Sequence, residues 1–562
     1  MKLMDRVGSH RGGRATNGAA RDSARRSAGG FHAAVILLVA TLAWSGSASA
    51  QTCEASRARE SVNVAYGEGR DARRVVFTPS DDGTLRAMDA TDGHLLWTYS
   101  SKEAAASTQP GSRMTDVRVL RFDARSDGVI DINDGDKVWL YFGVHSAGAA
   151  YYALDVTDPT VARLLWRVGS EELPGAGQSW ATPTIARMKI GGEMQNGEYF
   201  VLVLGGGYDT RTSTSGNRLF IVDAATGRLL WSGGGMNGAS HADFMLPAMK
   251  YPIAARVAAI DTDGDAFADR LYAADLGGQV WRFDVWNGRA RGTLVTGGVL
   301  ASLGKTYSGS AAASALPTGG DARRFFNAPD VALIQRRGDE VYYNIALGSG
   351  DAAALDDPSA PSANTHDRFY SLRDRNPFVP LAQSAYDAAV PILDADLIDI
   401  TGASLDSRVP PEAAGWKLDL QSASGGAGEK VLAESLTANA VVLFTTFQAG
   451  ASDCPADGSA RVYALKIDTA QPALDLNNDA ALTLEDRSVA LSMPGAAPGA
   501  QIELGPPPGE ERGPILSPPP LPGSDDPPQR ETTRCRVGTE TLAHCVPFRA
   551  LVRTFWRRHS TL

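Results

Sequence analysis

A short unit recurs along this chain of 562 residues, and it restricts the fold more than any other feature. Leu85-Arg86-Ala87-Met88-Asp89-Ala90-Thr91-Asp92-Gly93-His94-Leu95-Leu96-Trp97 is the first copy. Tyr152-Ala153-Leu154-Asp155 running on to Leu164-Leu165-Trp166 is the second, and Leu219-Phe220-Ile221-Val222-Asp223-Ala224-Ala225-Thr226-Gly227-Arg228-Leu229-Leu230-Trp231 the third. Shorter forms follow at Val280–Asp284, Phe369–Asp374 and Val462–Leu465. Each full copy reads as a strand, a tight turn and a second strand ending in Trp. Asp-Gly or Thr-Gly supplies the positive φ of the turn, and the alternating apolar residues supply a half-buried face. No segment carries a sustained apolar period of 3.6. Radial stacking of such hairpins protects their edges, so the expected fold is an all-β propeller of six or seven blades. The copies begin about 60 to 90 residues apart, against roughly 40 to 50 for a blade, so the blades carry irregular insertions. Trp97, Trp166 and Trp231 read as the residues that dock one blade on the next.

The flanks differ in character. Arg21, Arg25 and Arg26 lead into the apolar run Ala33–Ala40, and Ala48-Ser49-Ala50 precedes Gln51. This is the pattern of a secretory signal over residues 1–50, with an apolar run too short to cross a bilayer. Residues 51–490 form the expected propeller, residues 491–531 a disordered Pro/Gly-rich linker with Pro506-Pro507-Pro508 and Pro518-Pro519-Pro520, and residues 532–562 a short cystine-containing tail with Phe548, Leu551, Phe555 and Trp556. Export and four cysteines (Cys53, Cys454, Cys535, Cys545) imply disulfides. Three pairings are open, and the short separation favours Cys535 with Cys545. The formal net charge is −10, and much of the early basic excess lies in the segment expected to be removed. An acidic surface argues against non-specific nucleic-acid binding and suits divalent cations.

Asp261-Thr262-Asp263-Gly264-Asp265-Ala266-Phe267-Ala268-Asp269 is the sharpest chemical motif. Carboxylates of Asp261, Asp263, Asp265 and Asp269, with the carbonyl of Phe267, form an oxygen cage suited to Ca²⁺. The plainer reading is an acidic solvated turn. A second candidate runs from Asp475 to Asp486, with Asp475, Asn477, Asp479, Thr483 and Asp486 at EF-hand positions 1, 3, 5, 9 and 12. It departs from that pattern at Ala480, where Gly belongs, and in the short Asp486. Its alternative is an acidic loop in which Thr483 caps the turn that follows. A third loop, Asp123–Asp131, has the first loop's spacing but places Arg125 at position 3, and reads as a structural relic held by Arg–Asp pairing.

Several runs resemble the propeller of PilC/PilY-type proteins of the type IV pilus. They are Asp134–Gly143, Tyr151–Pro159, Asp261–Asp269, Asp275–Asp284, Arg323–Phe326, Pro329–Ala332, Gly348–Asp351, Asp367–Tyr370, Gly428–Thr437 and Phe444–Phe447, in family order over roughly residues 75 to 470. The resemblance implies a non-catalytic, calcium-binding pilus biogenesis and tip-associated protein. Such a protein assembles with minor pilins, supports pilus extension and antagonises retraction. It also implies a surface or host ligand, and a place in the periplasm, outer membrane or pilus tip. The von Willebrand A-like domain usual at the family's amino terminus has no counterpart between Gln51 and the first repeat, which puts adhesion through that domain in doubt. The alternative is a periplasmic quinoprotein dehydrogenase binding pyrroloquinoline quinone, since those enzymes share the docking tryptophans. Their adjacent cysteine pair is not present here.

Overall fold

A computed structural model describes residues 61–67, 72–80, 82–102, 114–145, 149–193, 199–209, 215–235, 242–304, 316, 320–335, 340–353, 365–420, 428–450, 458–493, 495–504 and 533–546. The expected signal, Cys53, Cys454, most of the expected linker, and Phe548, Leu551, Phe555 and Trp556 lie outside these residues.

The strands form seven sheets in chain order, the blades of a seven-bladed propeller. Blade 1 is an antiparallel meander of Val62–Tyr66, Arg73–Pro79, Thr84–Asp89 and Leu95–Ser100. Blade 2 repeats it with Arg118–Phe122, Lys137–Gly143, Ala150–Asp155 and Arg163–Gly169. Blade 3 uses Thr184–Arg187, Phe200–Gly205, Arg218–Asp223 and Leu229–Gly234. Blade 4 uses Ala258–Ile260, Arg270–Ala274, Gln279–Val285 and Val295–Ser302. Blade 5 uses Asp330–Ile334, Tyr342–Gly348, Arg368–Asp374 and Gly415–Asp419. Blade 6 uses Leu436–Ala438, Val441–Gln448, Ser459–Lys466 and Ser488–Ala490. The repeated sequence unit is thus the third and fourth strands of a blade. Among the described residues, Gln383–Ala388 is an α-helix of six residues.

The core lies between the blades. Leu140, Phe142 and Tyr152 of blade 2 pack on Val75 and Phe77 of blade 1, while Tyr141, Tyr151 and Trp166 pack on Leu202 and Phe220 of blade 3. Trp231 and Ile221 meet Leu271 and Phe283 across the next interface. With both faces covered, a central strand carries an unbroken apolar run such as Val138–Gly143, all buried.

The tryptophans dock as expected. Trp97 Nε1 donates to the Pro159 carbonyl (3.0 Å) and Trp166 Nε1 to the Ala224 carbonyl (2.9 Å), each just beyond the third strand of the next blade. Trp416 of blade 5 does the same to Ile467 of blade 6 (2.7 Å). Gly227 therefore has two reasons to be glycine: its φ is +72°, and a Cβ there would sit 2.8 Å from the Trp166 ring. Trp231 is fully buried, but its indole N–H has no partner among the described residues.

Blade 4 has no such tryptophan and meets blade 5 through buried charges. Arg282 pairs with Asp374 (2.8 Å) and Asp284 (3.1 Å), Arg270 with Asp284 (2.7 Å), and Tyr272 donates to Asp374 (2.6 Å). The same cluster holds a long insertion. After its third strand, the chain of blade 5 crosses to blade 4, where Arg270 donates to the carbonyls of Asn376 (2.8 Å) and Pro377 (3.0 Å), and Tyr386 donates to Asp284 (2.6 Å). Ile392–Leu393 then pairs in parallel with blade 4's outer edge, and Ile398–Asp399 with that of blade 5. This strap joins two neighbouring blades along their rims.

Part of the stretch 491–531, expected as a disordered linker, has regular structure. Ala500–Leu504 is a strand, and with Thr533–Val537 and Glu540–Thr541 it forms the seventh sheet. Ala500, Cys535, Val537 and Val546 bury against Leu443 and Val462 of blade 6. Pro/Gly-weighted composition hid one short strand whose partner lies beyond the prolines. The Cys535–Cys545 disulfide is present within this sheet and its following turn.

Two outcomes follow for equilibrium unfolding in urea. Trp416→Phe strips a buried carbonyl of its donor and costs about 1–2 kcal/mol more than Trp231→Phe, which loses ring volume alone; equal costs would mean the indole bond contributes nothing. Asp374→Ala leaves two buried guanidinium groups undercompensated and costs about 3–5 kcal/mol; a loss below about 1 kcal/mol would show the cluster to be dispensable.

Candidate metal centre

The loop of residues 261–269 joins the first two strands of blade 4 and leans on blade 3. Ala268 N donates to the Arg187 carbonyl (2.8 Å), and the buried Phe267 ring lies under Lys189 (3.8 Å) and Arg187 (4.6 Å). Within the loop, Asp261 Oδ1 accepts from Gly264 N (2.6 Å) and Oδ2 from Ala266 N (2.8 Å). The turn this imposes brings carboxylate oxygens of Asp261, Asp263 and Asp265 within 4.8 Å of one another. Asp263 and Asp265 are exposed and Asp261 is buried. No ion pair to these three is present among the described residues. At such spacing each pair repels by about 1 kcal/mol in water and several-fold more where the dielectric is low.

Asp269 stands apart from the trio. Its Oδ2 accepts from Thr262 N (2.8 Å) and Thr262 Oγ1 (3.0 Å), and its Oδ1 from Asn287 Nδ2 (3.3 Å). Burial, and then the charges of Asp263 and Asp261, push its carboxyl above the usual range against the Thr262 bonds. Asp269, expected as a direct ligand, accepts hydrogen bonds from Thr262 and Asn287 and lies outside the group of three. Asn287, which the sequence reading passed over, is the joint behind it: Nδ2 also reaches the Ala268 carbonyl (3.1 Å), and Oδ1 accepts from Lys189 N of blade 3 (2.9 Å). Its only signal in sequence is its place in an Asn-Gly turn.

The loop of residues 475–486 has the same build. Asp475 Oδ2 accepts from Ala480 N (2.9 Å), and oxygens of Asp475, Asp479 and Asp486 fall within 4.8 Å of one another. Asn477 bonds to Asp479 (3.1 Å) beside the trio. Thr483 caps the 3₁₀ turn Leu484–Arg487 by accepting from Glu485 N (3.3 Å), the role its alternative reading gave it. Asp486 is fully buried; burial works to raise its pKa, but the N–H groups of Thr483, Asn477 and Leu476 hold it below the usual range. His544 reaches in from the seventh sheet's side, 3.2 Å from Asn478 Oδ1.

All three loops share one backbone. The fourth residue has positive φ in each (Ser126 +56°, Gly264 +88°, Asn478 +58°), and so does the sixth (Gly128 +85°, Ala266 +69°, Ala480 +67°). A trailing carboxylate accepts the second residue's N–H in each: Asp136 (2.8 Å), Asp269 (2.8 Å) and Asp486 (3.0 Å). Ala480 is therefore no departure in geometry; the chain adopts the glycine conformation with alanine. In the loop of residues 123–131, Arg125 pairs with Asp134 at 2.8 Å, so a side-chain cation stands where the others place an oxygen.

A second cluster, unforeseen from sequence, lies at the hub. The Trp180 ring is stacked by His145 (4.6 Å) and flanked by Tyr208 (4.7 Å) and Phe326 (5.6 Å), with side chains from blades 3 to 6 in the same apolar groups.

These features define a seven-bladed propeller with loops that gather carboxylates at two places. Residues 124–377 match the family model described as the PilY1 beta-propeller domain, and residues 39–150 match that of outer membrane protein assembly factor BamB. The propeller of this chain is thus similar in sequence to that of the PilY1 proteins. It is 26% identical over 429 residues to type IV pilus biogenesis factor PilY1 of Pseudomonas aeruginosa strain PAO1, covering 68% of this chain and 34% of that protein. It is 28% identical over 356 residues to a PilY1 homolog of Xylella fastidiosa strain Temecula1, covering 60% of this chain and 22% of the homolog. The match thus spans 34% of the length of the first of these relatives and 22% of the second. The crystal structure of the P. aeruginosa PilY1 C-terminal domain superposes with a TM-score of 0.56 at 17% identity, covering 84% of this chain and 92% of that one, which shows the shared fold.

Alanine in the left-handed region costs about 1 kcal/mol or more. Ala266→Gly and Ala480→Gly should each raise stability in calcium-free buffer by up to about 1 kcal/mol, after the loss from a freer unfolded chain. Unchanged or lower stability in urea titrations would show that these two residues do not hold that conformation in solution.

Proposed function

We propose that this propeller is a calcium-binding, non-catalytic assembly module of the type IV pilus, exported to the cell envelope and acting with minor pilins at or near the fibre tip. There it supports pilus extension, opposes retraction and offers a surface for a host or abiotic ligand. The observation that carries the reading is the trio Asp261, Asp263 and Asp265, held within 4.8 Å inside the stretch that matches the PilY1 propeller. Three carboxylates without a paired cation, on a loop preset by backbone bonds, fit the oxygen preference and flexible geometry of Ca²⁺. Bound there, the ion would neutralise the trio and stiffen the contact between blades 3 and 4 that runs through Phe267, Ala268 and Asn287. Asp475, Asp479 and Asp486 form the second site, in which Asp486 also braces the loop by accepting from Leu476 N and Thr483 N and His544 Nε2 lies 3.7 Å from Asp475. The quinoprotein alternative draws no support from the hub, where the chain's own His145 stacks on Trp180.

Calorimetric titration of the full chain with Ca²⁺ tests the reading. Asp263→Asn is the informative variant, because Asp263 is exposed, whereas Asp261 holds the loop's N–H groups. Asp263→Asn should weaken one class of sites at least tenfold, and Asp479→Asn should weaken the other. Absence of calcium heat in the parent would end the calcium reading. The pilus reading would then stand or fall on co-purification with minor pilins.

A further inference from the structure

Where the chain leaves the seventh sheet it runs against blade 6. His544 Nε2 lies 3.7 Å from Asp475 Oδ2 and 3.2 Å from Asn478 Oδ1, and the buried Val546 packs in one cluster with Leu474 and Leu476. The Cys535–Cys545 disulfide anchors this exit to the sheet. Residue 547 therefore begins beside the loop of residues 475–486. The surface there is apolar and acidic together. Leu482 (45% exposed) stands on the loop and Leu484 (39%) on the 3₁₀ turn that ends it. Leu405 (40%) stands on the adjoining stretch of the strap. The two are tied side by side: Arg487 donates to the carbonyls of Ile400 (3.0 Å) and Ala403 (3.0 Å), and Gln471 Nε2 to that of Ser404 (3.2 Å). One exposed leucine is ordinary, but three on adjoining turns at a chain exit make a patch that water disfavours. Around them, residues 399–408 and 475–487 carry six acidic side chains (Asp399, Asp406, Asp475, Asp479, Glu485, Asp486) against Arg408 and Arg487, a net of −4. Both arginines are engaged by backbone carbonyls, Arg408 by those of Leu405 and Ser407.

The sequence of residues 547–562, which lies beyond the described residues, is the complement of this surface. It holds Arg549, Arg553, Arg557 and Arg558 and no acidic residue. Phe548, Leu551, Val552, Phe555 and Trp556 fall at i, i+3, i+4, i+7 and i+8, the spacing of one helical stripe, and Arg549, Arg553 and Arg557 fall outside it. Pro547 suits the first position of a helix. A stripe so short gives a helix that is marginal in water and needs a surface to lie on. Its first residue is already at the leucine patch, and such a tether sets an effective concentration on the order of millimolar, which a separate partner would have to match.

We propose that residues 547–558 dock as an amphipathic helix on blade 6 of their own chain, with the aromatic stripe on Leu405, Leu482 and Leu484 and the arginines over the acidic rim. The docking needs no calcium. The test is trypsin cleavage after Arg549 and Arg553 in the full chain with EDTA, followed by mass spectrometry. These bonds should be cut about tenfold more slowly than in a synthetic peptide of residues 547–562. Leu482→Ser with Leu484→Ser, both at exposed positions, should raise the rate in the chain about fivefold, and Asp406→Asn with Glu485→Gln about threefold. Added NaCl at 0.5 M should speed cleavage of the parent as well. The bonds cut are the same in every variant, and thermal unfolding confirms that each is folded. Cleavage of the parent as fast as that of the peptide, or a rate unmoved by the leucine substitutions, would overturn the proposal. So would protection that falls on dilution, which assigns the segment to a second copy, or protection seen only with vesicles of anionic phospholipid, which assigns it to a membrane surface.

Discussion

The ring depends on one contact made repeatedly: the outer strand of a blade inserts an indole into the turn of the next blade and donates its N–H to a carbonyl there. Trp97 to Pro159, Trp166 to Ala224 and Trp416 to Ile467 are three instances of it. The contact is directional, always from a fourth strand onto the following blade, so the interfaces are built in chain order. It also explains why the receiving turn must be small: the Trp166 ring occupies the space that a side chain at residue 227 would need. Burying an indole contributes a large apolar area, and its N–H finds a partner without any charge being desolvated.

Blade 4 solves the same problem in a more expensive way. Two arginines and two aspartates are buried at its border with blade 5, where mutual attraction has to offset the loss of hydration. Their value lies in what else they hold. The guanidinium groups left over from pairing take backbone carbonyls of the strap, so one cluster fastens the blade border and the insertion together. The acidic loop of residues 261–269 belongs to the same blade but faces the other way, onto blade 3. Blade 4 is thus where ion chemistry is concentrated on both flanks.

Much of this was legible in the sequence, because the hairpin repeat has a local cause. Asp-Gly and Thr-Gly turns, alternating apolar residues and a terminal Trp act within about fifteen residues, and they specify the outer half of a blade wherever they occur together. Trp416 escaped notice because the strap separates it from Phe369–Asp374, the strand it pairs with. The strand Ala500–Leu504 escaped for a similar reason, its partner lying beyond a run of prolines. At the acidic loops, Asp261, Asp263, Asp265, Asp475, Asp479 and Asp486, singled out by residue type and spacing, do converge in two groups. The part played by Asp269 was not legible. Whether a carboxylate faces an ion or a backbone N–H depends on the rotation of one side chain and on Asn287, eighteen residues away.

The Arg125–Asp134 pair gives blade 2 a property the other acidic loops lack. A guanidinium is covalently part of the chain: it arrives with synthesis, at fixed stoichiometry, and no chelator or dilution removes it. A loop that relies on a dissolved ion is only as firm as the medium allows. If the acidic loops of blades 4 and 6 bind calcium as proposed, one ring contains the same backbone under two kinds of control, one written in the gene and one left to the surroundings. On the proposed reading, a fall in external calcium would slacken the arcs at blades 4 and 6 while blade 2 kept its shape. The propeller would then respond by becoming uneven around its circumference, a signal that a partner gripping several blades at once could feel.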